Sequence, residues 1–124
     1  MPHALRLAAL LTLLLGLGGI AVNRLRVPPF STVHLILGVI TVVLALVVLG
    51  PELRAGFGGS VGAWFALIPL VIGLLWWRGV WAELLGRIAF VALIVHALFG
   101  LAAIGLIEMG LARRKRRLAV AQHA

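Results

Sequence analysis

The chain has 124 residues, 64% of them hydrophobic and only 11% charged, with no cysteine and no tyrosine. Soluble domains run at roughly 45–50% apolar and about 25% charged, and a chain this short must leave much of its residue count at the surface, so the composition excludes a water-soluble globule. The net charge of +8 does not point to nucleic acid, because only Arg113 to Arg117 form a run and the other basic residues stand singly between long apolar stretches. The expectation is an integral membrane protein whose solvent is the lipid bilayer.

Four apolar stretches are marked off by charges, prolines and glycines. The first covers residues 4–22, with Arg6 near its start and Asn23, Arg24 and Arg26 at its end. It has the leucine-rich run and small residues (Gly19, Ala21) of a secretory signal, but the run is longer than most signal cores, so an uncleaved helix is expected. The second covers 27–49, opening on Pro28 and Pro29, where a missing N–H does least harm, and stopped by Gly50-Pro51. The third covers 60–77, and Pro69 inside it frees the carbonyl of Phe65 and predicts a bend. The fourth covers 88–111 and runs into a basic tail, 112–124. About 20 helical residues cross a hydrocarbon core of about 30 Å, and four short strands cannot close a barrel. The predicted fold is therefore all-α, an integral membrane four-helix up-down bundle forming a single transmembrane domain, with short loops and nothing catalytic outside it.

Basic residues set the orientation. Arg6, Arg54 and the five residues of Arg113 to Arg117 fall on one side, against Arg24, Arg26, Arg78 and Arg87 on the other. Both termini are expected in the cytoplasm, in a bacterial inner (plasma) membrane. Trp76, Trp77 and Trp81 would belong to the outer aromatic belt and Trp64 to the inner one. The basic run reads as a topology anchor in contact with anionic lipid.

Polar groups within a bilayer are functional candidates by default, and few exist here. His3 and His123 fall in the tails. His34 and His96 lie within the second and fourth spans in one shared pattern, Val-His-x-x-x-Gly: Val33-His34 with Gly38, and Val95-His96 with Gly100. Glycine four residues on lies on the histidine's own helix face and leaves room beside the imidazole; Thr41 shares that face. His34 is eight residues after Arg26 and His96 nine after Arg87, which at 1.5 Å per residue puts both about 12–13 Å beyond an outer arginine. In a square bundle with neighbouring axes about 8–10 Å apart, the two parallel helices lie on a diagonal of about 11–14 Å, near what two imidazoles need to reach one iron.

Paired histidines on parallel second and fourth spans, each with a nearby glycine, resemble the heme-binding bundle of membrane b-type cytochromes, as in the cytochrome b subunits of respiratory complexes and each half of heme A synthase. The resemblance covers the bundle and implies a small four-helix cytochrome in which His34 and His96 are axial ligands of heme b, with Gly38 and Gly100 lining the ring. Arg26 and Arg87 are propionate partners by charge pairing rather than by resemblance. Two departures limit what carries over. The cytochrome b subunits usually hold two hemes on four histidines, whereas this chain can ligate one, and the Glu-x-x-His-Arg motif of heme A synthase is absent, so no heme-modifying reaction is implied. A six-coordinate iron implies electron transfer rather than catalysis on a bound substrate. Its partners would be an extracytoplasmic carrier, a quinone near the outer leaflet, or other subunits of a membrane complex.

Other readings stay open at this point. An intramembrane histidine is often a helix-to-helix hydrogen-bonding residue, and a chlorin pigment or a bare metal ion would also use one. A non-catalytic accessory or assembly subunit of a respiratory or photosynthetic complex needs no cofactor chemistry at all. A proton-coupled drug exporter is disfavoured, since the first three spans contain no acid. Glu108, five residues before Arg113, reads as an interfacial ion-pairing residue, and Gly58, Gly62 and the Gly16–Gly19 cluster as sites of close helix contact.

Overall fold

A computed structural model of the chain describes residues 2–21, 30–53 and 57–123, and the secondary structure among them is helical throughout. The elements are α1 (Pro2–Ala21), α2 (Phe30–Leu53), α3 (Phe57–Phe65), α4 (Leu67–Trp77), α5 (Val80–Leu85), a short 3-10 turn (Gly86–Ile88) and α6 (Phe90–His123). The charged residues Arg24, Arg26 and Arg54, and the proline pair at 28–29, lie outside the described residues.

The helix boundaries follow local chemistry, with four departures from expectation. Gly50-Pro51 does not stop the second helix, which runs on to Leu53; proline's fixed φ is compatible with a helix, and near the end only one hydrogen bond is lost. The third apolar stretch is divided at Ala66 into α3 and α4. Pro69 has no N–H to offer the Phe65 carbonyl, while Ala66 still donates to Gly62 O at 3.1 Å, so the irregularity falls just ahead of the proline. The 78–87 segment, read as a loop, contains α5. Gly79 (φ +80°) and Gly86 (φ +52°) bracket that helix in conformations that side chains disfavour, and Val80–Ile88 turns away from Val61–Trp77 by 78°. Finally, residues 112–123 are no separate tail: α6 is one helix of 34 residues, about 50 Å long. The Arg113 to Arg117 run continues the helix, since arginine and lysine are good helix formers, and Arg114 Nη1 donates to Val48 O at 3.0 Å, near the C-terminal end of α2 where a cation is favoured.

Among the described residues three helices are long and apolar enough to cross a membrane, and a fourth if the bent pair Val61–Trp77 and Val80–Ile88 counts as one span. The order of contacts gives their relative directions. Thr12 meets Thr41 and Gly16 meets His34, so α1 and α2 run antiparallel. Gly62 meets Leu106 and Ile107 while Pro69 meets His96, so α3–α4 run antiparallel to α6. His34 meets His96 and Val48 meets Arg114, so α2 and α6 run parallel. The extensive packing is between α1 and α2, α2 and α3, and α3 and α6, with α2 and α6 touching only sparingly. One end is filled by a cluster that includes Leu5, Val42, Ala45, Val48, Leu49, Ala63, Ala103, Ile107 and Leu111.

Candidate functional site

Away from that cluster the helices part around a cavity of about 520 Å³, within the roughly 300–1,000 Å³ of ligand sites. Its walls come from α1, α2, α4 and α6, it begins beside Thr41 and Ile107, and it reaches Trp81 and Ala82 of α5 at the far end. The lining is apolar except for a few groups, chiefly His34, His96, Thr12, Thr41 and Ser31.

The two histidines that shared a motif are brought together here. Their ring centroids lie 6.0 Å apart with planes at 70°, so the two histidines are level with one another in the bundle. Two imidazoles bound through nitrogen to one metal at about 2.0–2.1 Å place their centroids roughly 6 Å apart, and rotation about that axis leaves the angle between planes free. His96 Nδ1 is 2.9 Å from Pro69 O. A carbonyl only accepts, so Nδ1 carries the proton and Nε2 keeps the lone pair that a metal requires. His34 Nδ1 is buried with no hydrogen-bond partner.

The glycines beside the rings are not the ones the motif singled out. A Cβ on Gly16 of α1 would sit 2.9 Å from His34 Cε1, and a Cβ on Gly73 of α4 would sit 2.9 Å from His96 Cε1. Each ring therefore rests on a glycine of the antiparallel neighbour. Gly38 and Gly100 line the cavity, but a Cβ on Gly38 would meet Leu70 Cδ1 at 3.8 Å and one on Gly100 would meet nothing within 4 Å. A signal for one seat was present: Gly16 precedes Arg24 by the same eight residues that separate Arg26 from His34. Gly73, five residues before Arg78, fits no such count.

Of the proposed propionate partners, Arg26 lies outside the described residues, and Arg87 is exposed on the 3-10 turn and does not line the cavity. Thr41 is turned to Thr12 at 3.1 Å, and each hydroxyl also lies 2.8 Å from the carbonyl four residues back, Leu37 and Ala8. Trp81 Nε1 donates to Ile72 O at 2.9 Å, tying α5 against α4 over the far end of the cavity. Glu108 does pair, but across the fold: Arg6 grips it with Nε and Nη2 at 2.9 Å each, both side chains about half exposed.

Among the described residues no three His, Cys, Asp or Glu side chains gather as a metal cluster. No protein-family model, curated protein or solved structure matches the chain.

Proposed function

We propose that the chain is an integral membrane four-helix up-down bundle that holds one heme b between His34 and His96 and relays single electrons. The observation that carries this reading is the pair of imidazoles whose centroids lie 6.0 Å apart, edge to face, in an apolar cavity of about 520 Å³, one with its tautomer set for ligation by Pro69 O. The lipid setting is supported by the outer surface, where Leu7, Leu14, Ile36, Val47, Val71, Ile94 and Leu98 are all exposed, far more apolar area than a soluble monomer presents. It is supported too by charge: Arg6 and the Arg113 to Arg117 run share one end of the fold, the cytoplasmic one in this reading.

When bound, heme supplies one-electron chemistry at a potential set by its axial ligands and surroundings. The residues of the chain do the rest. His34 and His96 would hold the group through an imidazole nitrogen each, Pro69 O orients the His96 ring, and the apolar walls would pack against its ring. A centroid separation of 6.0 Å suits one metal with both imidazoles on it better than two separately ligated pigments. The reading places the site in the outer half of the bilayer, next to an extracytoplasmic carrier, a quinone or another subunit.

The test is a reduced-minus-oxidised spectrum of the full chain, purified in detergent from cells supplied with heme. A b-type band that disappears in both His34→Ala and His96→Ala is the expected result. A folded, colourless wild type overturns the reading and leaves the histidines as packing groups.

A further inference from the structure

Both histidines sit in sockets of one design, although they come from different helical hairpins. In the α4–α6 hairpin, the seat is Gly73 and the acceptor is the carbonyl four residues earlier, Pro69. In the α1–α2 hairpin, the seat is Gly16, and by sequence the carbonyl four residues earlier is that of Thr12. In each case Cε1 is the ring atom closest to where a Cβ on the glycine would sit, at 2.9 Å, with the two nitrogens farther from that point: 3.3 and 3.8 Å at Gly73, 3.7 and 3.7 Å at Gly16. The sockets differ in one respect, that Nδ1 is bonded at His96 and unsatisfied at His34. A buried polar atom without a partner is rare and carries a penalty.

We infer that Gly16 and Gly73 are positioning residues for the two histidines, each holding its ring edge-on so that Nδ1–H addresses the carbonyl one turn back and Nε2 is left for the metal. This rests on the heme reading and adds what fixes the ligands: glycines on the neighbouring helices, and Thr12 O as the acceptor that His34 takes up when Nε2 is ligated. A side chain at either glycine meets the movable end of an imidazole, so the ring swings and the helices need not separate. Gly62 differs, since a Cβ there would lie 2.7 Å from the backbone of Leu106 and Ile107.

The test compares Gly16→Ala and Gly73→Ala with Gly18→Ala, a glycine on α1 with open space where its Cβ would be. Three measurements are made on the full chain: helix content by circular dichroism, histidine tautomers by ¹⁵N NMR of heme-free protein, and heme retention with the low-spin EPR signature after loading. Wild-type His96 is expected as the Nδ1–H tautomer. Gly73→Ala should abolish that tautomer at His96 and leave His34 unchanged, with helix content preserved. Each of the two seat variants should weaken heme retention by about 10-fold or more, as loss of a ligand's orienting partner does, and shift the EPR signature, whereas Gly18→Ala matches wild type. A Gly73→Ala protein with wild-type tautomers overturns the inference whether or not heme binds. Heme bound with wild-type retention and EPR in both variants also overturns it, while leaving the heme reading intact. A colourless wild type whose His96 tautomer responds to Gly73→Ala supports the sockets and sinks only the heme.

Discussion

At the end of the fold that carries Arg6 and the basic run, α1, α2, α3 and α6 close on one another around Leu5, Leu49 and Ile107, each less than 2% exposed. At the other end the α1–α2 hairpin stands away from α4 and α6, and the space between them is the cavity. Both ends use small residues for close approach, as helices packed in lipid do, but for different neighbours. Gly62, Ala63 and Ala103 bring backbones together at the closed end, whereas Gly16 and Gly73 make room for imidazole rings at the open end. Packing holds the molecule at one end so that polar groups can be presented at the other.

The largest effect is expected from Gly62→Ala. Its Cβ would lie 2.7 Å from backbone atoms of Leu106 and Ile107, and no rotamer change relieves a clash with backbone. Overpacking of this kind costs about 3 kcal/mol or more, which should appear as loss of folded protein in detergent or a strongly lowered Tm. A Gly62→Ala chain as stable as Gly16→Ala would erase the distinction between the two ends.

Next comes a pair of truncations of the same side chain. Leu49→Ala opens a hole in the closed end and should cost about 2 kcal/mol, mostly through the void and lost contacts, since lipid removes most of the transfer term. Leu93→Ala enlarges a cavity that already exists and should cost under about 1 kcal/mol. Equal shifts in unfolding midpoint would mean that the cavity end is packed as tightly as the other.

The histidines divide the open end further. In heme-free protein His96→Ala removes the bond to Pro69 O, worth about 0.6 kcal/mol on average between membrane helices. His34→Ala instead removes a buried nitrogen that had no partner. Unfolding midpoints should therefore fall further for His96→Ala than for His34→Ala. The reverse order would show His34 Nδ1 to be satisfied in the folded protein.

How much of this was legible beforehand depended on how far each signal reaches along the chain. The helical, apolar character of the stretches is a local feature and is found, and His34 and His96 do lie level with one another. Pro69 announced an irregularity in the third stretch, though not its place at Ala66. What failed to show were contacts between distant segments. Gly38 and Gly100 drew attention because they sit one turn from the histidines on the same helix, yet the rings rest on Gly16 and Gly73, which no motif links to them. Glu108 finds Arg6, 102 residues away, a partner no local count could name. The length of α6 was misread for a different reason: a charged run ends a hydrophobic span without ending a helix, because arginine and lysine are good helix formers.

A comparably small effect is expected where the two ends meet. Thr41 is buried, 7% exposed, and borders both the cavity and the core cluster through its neighbour Val42. Thr12 and Thr41 have two hydroxyl protons for three short contacts, 2.8, 3.1 and 2.8 Å, so one of the three is unmade at any instant. Thr41→Val keeps the shape and removes one proton together with one acceptor, leaving Thr12 free to hold its bond to Ala8 O. No buried donor is stranded, and the loss should stay near the average of about 0.6 kcal/mol for such groups, with the histidine tautomers unchanged. A loss as large as that of Leu49→Ala would place Thr41 inside the closed core and move the floor of the cavity toward His34.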